Sequence, residues 1–482
     1  MILSIDVGTT TLRAAVVDDT LGVVAEARRD QPPATPFPGL VEVDATALAA
    51  TVLDAAAEAI AMAPEPIEAV GITAQRATTV VWDRTSGEPV GPGLGWQDLR
   101  TVGECMVAKA EHGLALAPNQ SATKVAWLLA NTPAAPDRDL CAGTIDSWLV
   151  WCLTEGAAHV TDHTNAGVTG LMRHDGNGWD QRVLDALGIP ASMLPRLVDS
   201  SGLIGDATAL AGAPPIAALV GDQQSSLIGQ GCVRPGRAKA TFGTGGMLDI
   251  CGGREAPGTA ARLANGTFPI VAWSRLGELA WGTEAIMLSA GTNVEWLRDD
   301  LGLLTSSAES HDVAATVGSS GGVVFVPALL GLGTPQWDYG ARGSLFGLTR
   351  GTERGHVVRA VLEGVAQRGA DLVMAAEADT GLAVDSLRVD GGMSQNPTFV
   401  QAVADATGRP VEVSPTPEAT TRGAAFLAGL AVGRFSSMDD ADRAWSPAAV
   451  VEPADTFDHG RWAEAVRRAG GWIPELSALE FS

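Results

Sequence analysis

One local device occurs twice in the chain, and few folds accommodate it. Ile2-Leu3-Ser4-Ile5-Asp6-Val7 runs into Gly8-Thr9-Thr10-Thr11 and returns as Leu12 to Asp18. Far downstream, Ala238-Lys239-Ala240-Thr241-Phe242 runs into Gly243-Thr244-Gly245-Gly246 and returns as Met247 to Cys251. Each reads as two apolar strands joined by a tight turn of glycine and hydroxyl residues. Glycine lets backbone N–H groups turn inward and threonine adds hydroxyl donors, a nest suited to the oxygens of a phosphate chain. Two copies predict an internal duplication in which each half supplies one jaw. Taken alone, the first turn is equally an ordinary surface hairpin. Asp6, at the end of its strand, is placed to hold Mg2+ through water, because that ion keeps most of its hydration shell. The competing reading of Asp6 is a strand-end turn acid.

A chain of 482 residues exceeds one core; two domains of roughly 200 residues each are expected. We place them at 1–237 and 238–433, with a tail over 434–482. The net charge of −24 argues against nucleic acid or an anionic membrane as partner. The three lysines, Lys109, Lys124 and Lys239, never follow glycine, which excludes the Gly-Lys-Ser/Thr phosphate loop. Five cysteines without a CxxC pair fit a reduced, cytoplasmic protein rather than a disulfide framework or zinc site. His159 and His163 lie four apart, but Val160-Thr161-Asp162 is a poor helix, so a metal pair is not expected. No basic segment precedes the opening strand, so no secretory signal is expected. Gly, Ser and Pro break the uncharged stretch Val317 to Gln336, which is no membrane span.

Between the two hairpins the pattern predicts a third strand at Leu21 to Glu26 and an alanine-rich helix from about Asp44 to Ala61. A buried strand, Ile67 to Ile72, delivers Thr73-Ala74-Gln75-Arg76-Ala77, and Ile216 to Val220 delivers Gly221-Asp222-Gln223. An acid at the carboxyl end of a strand is where α/β sheets place their chemistry; Asp222 equally suits a helix N-cap. The second half predicts helices at Glu284 to Asp300, Thr352 to Asp379 and Gly423 to Leu430, and strands at Ser386 to Val389 and Val411 to Val413. Asp390-Gly391-Gly392 follows one of these strands, where glycine lets a flat ring approach the backbone. The tail ends in a short amphipathic helix near Arg461 to Arg468. Strands and helices in this order make an α/β fold with mixed sheets.

Four motifs, in this order and spacing, resemble the FGGY family of carbohydrate kinases, within the actin, hexokinase and heat-shock chaperone ATPase superfamily. They are Ile5-Asp6-x-Gly8-Thr9-Thr10, Gly221-Asp222-Gln223-Gln224, Phe242-Gly243-Thr244-Gly245 and Val389-Asp390-Gly391-Gly392. Gly343 to Glu363 also resembles a family signature; the counterpart around Lys124 fits less well, because Asn119 replaces an aromatic or small residue. The resemblance implies two ribonuclease H-like (actin-like ATPase) domains, each a mixed five-stranded sheet flanked by helices, with the active site in the cleft between them. It implies ATP-dependent phosphate transfer, with Mg2+, to a hydroxyl of a small polyol or sugar, by a cytoplasmic homodimer or higher homo-oligomer.

Carried onto this chain, the resemblance makes Asp222 the catalytic base and Asp6 the metal carboxylate. Thr9, Thr10, Thr11 and Thr244 hold phosphates, with Arg13 as an added charge. Gly291, Gly392 and Asn396 match nucleotide contacts, with Glu295 in place of a usual glutamine; plain turn and capping chemistry is the competing reading. Arg76, Trp96 and Gln223 match substrate contacts; Arg76 and Trp96 also suit a structural salt bridge and a core tryptophan. The likeness is strongest to the glycerol kinase branch, from which three pocket positions depart. Ala77 stands for an acid, Asn119 for a tyrosine and Met247 for a phenylalanine. Glycerol is therefore expected to be a poor substrate. A pentulose kinase is the rival enzyme, although Gln75-Arg76 is not the motif expected for xylulose. An actin- or chaperone-like ATPase switch, or an inactive family member, is the rival of another class.

Overall fold

The computed structural model describes residues 1–132 and 138–479. Its centre is a 13-stranded sheet. In chain order the strands are β1 (Ile2–Val7), β2 (Thr11–Val17), β3 (Val23–Asp30), β4 (Ala69–Ala74), β5 (Ser201–Asp206), β6 (Pro215–Gly221) and β7 (Ala238–Phe242). They continue as β8 (Gly246–Gly253), β9 (Phe268–Arg275), β10 (Glu278–Met287), β11 (Leu387–Asp390), β12 (Val411–Val413) and β13 (Ala449–Val451). In space they run β13-β12-β11-β7-β8-β10-β9-β5-β6-β4-β1-β2-β3.

The same arrangement occurs twice. β1 pairs antiparallel with β2, and β2 with β3, while β4 and then β6 add in parallel on the other side. β7 pairs antiparallel with β8, and β8 with β10, while β11 and then β12 add in parallel on the other side. Each half thus contains the expected mixed five-stranded sheet. The first half adds β5 and the second adds β9 and β13. The two sheets are not separate: β5 and β9 pair at one position, Ser201 opposite Arg275. Beside it, Ser200 N–H donates to Ser274 Oγ at 2.9 Å and Ser274 N–H donates to Ser200 Oγ at 3.0 Å.

Seven helices matter to the site: α1 (Ala45–Met62), α2 (Asp222–Gly229), α3 (Thr292–Asp299), α4 (Arg354–Thr380), α5 (Pro397–Thr407), α6 (Ala419–Ala431) and α7 (His459–Ala469). Asp44 caps α1 by accepting from Ala47 N–H at 2.9 Å. By length and composition α1 could cross a membrane, but Leu48, Val52, Ala56 and Ala59 belong to the core of the first half. α4 plays the same part in the second half, where Val358, Val361, Leu362 and Val365 pack with Phe242, Leu248 and Ile250.

α6 follows the second half in sequence yet covers the first. Ala424, Phe426, Leu427 and Ala428 share a core with Ile2, Val17, Ala217 and Val220. It crosses α2 through glycines. A Cβ on Gly423 would lie 1.9 Å from the Ser225 carbonyl oxygen, and one on Gly229 would lie 1.9 Å from that of Ala419. The tail also joins the fold: β13 extends the sheet, and Trp462, Ala465 and Val466 of α7 pack with Val326, Ala328 and Leu332. Residues 480–482 of the expected tail lie outside the described residues.

Several boundaries differ from expectation. Glu284 to Met287 finish β10 instead of opening a helix, because their ladder with β8 runs on to Gly246 opposite Met287. The helix is confined to α3. Thr79–Asp83 leaves the main sheet and pairs with Leu140–Thr144 in a four-stranded sheet. Leu21 sits in a turn at φ 62, so β3 starts two residues later than expected.

Candidate functional site

β6 ends at Gly221 and α2 begins at once with Asp222. A Cβ on Gly221 would sit 2.8 Å from Cγ and Cδ of Arg76, so this position admits only glycine while Arg76 lies across it. From this point α2 reaches into both halves. Asp222 Oδ1 lies 3.4 Å from Arg76 Nε and accepts from Gln223 N–H at 2.8 Å. Gln223 Oε1 accepts from Lys239 Nζ on β7 at 2.7 Å. Ser225 Oγ donates to the Thr420 carbonyl at 2.7 Å, and Ser226 Oγ donates to Asp390 Oδ2 on β11 at 3.1 Å.

The first glycine-threonine turn adjoins this helix through Asp6. Burial, with the Asp222 charge added, pushes the Asp6 carboxyl up to about 7. Burial raises Asp222 too, against the pull of Arg76. Two neighbouring half-buried carboxylates are costly unless a cation or a proton compensates; Asp6 could hold a hydrated divalent cation here. Gly8 N–H donates to the Thr11 carbonyl at 2.9 Å and closes the turn, leaving Thr10 and Thr11 exposed. Thr9 Oγ1 accepts from Trp96 Nε1 at 3.1 Å, which ties the tryptophan to the turn. Arg13 departs from expectation. Its guanidinium is paired with Glu418 and lies 3.4 Å from Glu26, because β3 and the start of α6 bring acids within its reach.

The second turn meets two other glycine positions at one corner. Gly291 N–H donates to the Gly243 carbonyl at 2.8 Å, and a Cβ on Gly291 would lie 2.6 Å from that oxygen. Gly391, at φ 86, packs on Phe242 so closely that a Cβ would lie 2.5 Å from its carbonyl oxygen. Thr244, Gly392 and Glu295 are exposed. Asn396 shows the capping chemistry that was its competing reading: Oδ1 caps α5 by accepting from Phe399 N–H at 3.1 Å, and Nδ2 donates to Ser310 Oγ at 2.9 Å.

On the substrate side Arg76 is shared between the halves. Its Nη2 donates to Glu284 Oε2 on β10 at 2.6 Å, while Nη1 is buried with no partner among the described residues. Glu284 opposes Asp249 across the sheet, and Asp249 opposes Lys239. Thr241, Met247 and Ile286 form the next such row toward the turn. Lys239 Nζ lies 2.8 Å from Asp249 Oδ2, both side chains at 0% exposure, and donates to Thr241 Oγ1 at 3.0 Å. Burial pushes Glu284 up to about 7, against the pull of Arg76. Ala77 is buried at φ 61, and its carbonyl accepts from Ser121 Oγ at 3.1 Å. Asn119, two residues earlier, is exposed with no hydrogen bond among the described residues.

Lys239, Asp249 and Glu284 escaped the sequence reading. The available signal was a charge alternating with apolar neighbours, as in Leu248-Asp249-Ile250, since a strand rarely points a charge inward without a partner.

Residues 1–229 match the N-terminal domain, and 238–432 the C-terminal domain, of the FGGY family of carbohydrate kinases. The chain belongs to that family. Glycerol kinases of Trichlorobacter lovleyi and Alkalilimnicola ehrlichii are each 43% identical to this FGGY kinase, over 98% of its length and 99% and 98% of theirs. The crystal structure of Plasmodium falciparum glycerol kinase with ADP has a TM-score of 0.90 at 30% identity, over 97% of this kinase and 98% of that chain. The fold is accordingly the actin-like ATPase fold, and the protein is a glycerol kinase-like carbohydrate kinase.

Proposed function

We propose that this FGGY kinase transfers the γ-phosphate of ATP to a hydroxyl of a small polyol or sugar, with glycerol a poor acceptor. The observation that carries the reading is Asp222 at the head of α2, beside Arg76 and within electrostatic reach of Asp6 near the end of β1. Phosphoryl transfer requires positioning, charge neutralisation and a base. Asp222 takes the proton of the attacking hydroxyl, and its raised pKa suits that task. Thr9, Thr10, Thr11 and Thr244, with the N–H groups of their turns, hold phosphate oxygens. Gly291 and Gly392 leave room for the base of the nucleotide, with Glu295 at its edge and Asn396 shaping the corner through its cap. Mg2+, held through water at Asp6, supplies charge neutralisation.

Arg76, Trp96 and Gln223 face the acceptor, and Ala77, Asn119 and Met247 widen its pocket. A hydrogen bond to a charged group contributes about 1.5–3 kcal/mol. Each one that Ala77 no longer provides costs a substrate roughly ten- to a hundredfold. We assign the first jaw to 1–237, the second to 238–433 and a supporting tail to 434–482. Five free thiols support a cytoplasmic setting; a homodimer or higher homo-oligomer is our reading of its assembly.

A coupled ADP-release screen over C3–C6 polyols and ketoses, with Asp222→Ala as the blank, tests this. We expect turnover of at least one acceptor and a loss of about 10²–10⁴-fold in kcat in the variant. Glycerol giving the highest kcat/KM ends the altered-pocket reading, and an unchanged variant ends the assignment of the base.

A further inference from the structure

The strand that carries Asp222 loses a neighbour just before it ends. β5 and β6 last pair at Ser201 opposite Ala218, and Leu219 N–H still reaches the Ser200 carbonyl at 3.1 Å. Two residues on, the Gly221 N–H points to the same edge. There a side chain replaces the strand: Thr164 Oγ1 accepts from Gly221 N–H at 2.8 Å. The single hydrogen of that hydroxyl goes to the carboxylate of Asp162, whose oxygens lie at 2.8 and 2.9 Å, which leaves its lone pairs to Gly221. Asp162 ends the short strand Val160–Asp162 and is fully buried. It also accepts from Thr164 N–H and Asn165 N–H, each at 3.0 Å, from Asn165 Nδ2 at 2.9 Å and from Ser200 Oγ at 2.7 Å. A buried carboxylate is costly unless so bonded, and a satisfied network of this kind is rigid. Capping the helix His163–Ala166 accounts for the two N–H contacts. It does not account for the two hydroxyls. One of these leads to Gly221, and the other, on Ser200, accepts from Ser274 N–H across the junction of the halves.

We propose that Asp162 is a positioning residue, which through the Thr164 hydroxyl holds the turn bearing Asp222 to the junction between the halves. The inference rests on the reading of Asp222 as the base. The path runs from Asp222 through Gly221, Thr164, Asp162 and Ser200 to Ser274. Each link is a peptide bond or a hydrogen bond of 3.0 Å or less. Without the Thr164 hydroxyl the Gly221 N–H is left unpaired in a buried place, and the head of α2 can shift. A base displaced by about 1 Å can cost roughly 10²-fold in rate. Asp162 and Thr164 are fully buried, so neither is placed to meet the acceptor, and the loss falls on kcat.

Steady-state kinetics on Thr164→Ser and Thr164→Ala, with Mg-ATP and the acceptor that the screen ranks first, tests this. The two variants differ only by the hydroxyl. Thr164→Ser should keep kcat within about threefold of the wild type, and Thr164→Ala should lose about tenfold or more with little change in acceptor KM. Ser200→Ala removes the next link and should lower kcat by about threefold or more, again with KM little changed. Thermal unfolding of each variant gives the folded fraction, and rates are taken per folded enzyme. If Thr164→Ala does not fold, Ser200→Ala decides on the same split. Equal kcat in the two Thr164 variants, an unchanged kcat in Ser200→Ala, or a loss confined to KM or to the melting midpoint overturns the proposal. The base reading then still stands if Asp222→Ala is inactive. An active Asp222→Ala overturns both.

Discussion

Lys124 is fully buried in the first half with its ammonium bonded to nothing among the described residues, and burial lowers its pKa from 10.5 to about 7. The charges of Asp98 and Cys105 offset only part of this. Between pH 7 and 10.5 the unfolded chain binds more protons here than the native one, so this group makes stability rise with pH over that window. Below pH 7 the amine is charged in both states and the full burial cost is present. Lys124→Met should therefore raise the free energy of unfolding most at pH 6–7, by on the order of 3 kcal/mol, with the gain shrinking as pH approaches 10.5. Urea unfolding at pH 6, 8 and 9.5 measures it; an equal gain at all three would mean that packing, not charge, is responsible. At this scale Asp6 and Asp222 were legible because each ends an apolar strand next to glycine. Lys239 and Asp249 were not, because the hairpin that pairs them does not say which of its faces is buried, and Glu284 was not, because it joins them only through register with a later strand. The partners that engage Arg13 and Asn396, Glu418 and Ser310, were not legible because they come from distant segments.

At the scale of elements, the crossing of α2 and α6 carries the most constraint. Gly423 and Gly229 let the two backbones touch, and any Cβ there meets a carbonyl that belongs to a helix. Gly423→Ala should lower stability by about 3 kcal/mol or more, since no side-chain rotation relieves a backbone clash. A thermal-unfolding midpoint within error of the wild type would show that the helices can part freely. The sequence revealed both hairpins, β12 to the residue and the approximate span of α1, because each is a local signal. It could not reveal which half α6 covers. Gly423 to Leu430 are all buried, so the helix is apolar on every side and its pattern names no partner face. The expected helix from Glu284 failed for a related reason: α3 supplies a helical period just beyond Met287, while the ladder that makes β10 a strand is non-local.

At the scale of the molecule, two similar sheets meet at one residue pair, beside the Ser200–Ser274 clasp. The site lies between them, with one turn on each side, so closure about that junction would bring the turns together and exclude water. Small-angle scattering should give a smaller radius of gyration with a non-hydrolysable ATP analogue and acceptor than without them. Identical radii would mean that the halves do not close.

Arg76, the hydrogen-bonded counter-charge of Glu284, comes from the opposite half. A fragment starting at residue 238 would carry Asp249 and Glu284 side by side with Lys239 left to balance both, inside a buried sheet. Its mate would lose the helical cover of its own strands. Each half therefore depends on the other for part of its own core and charge balance, and neither is expected to fold alone.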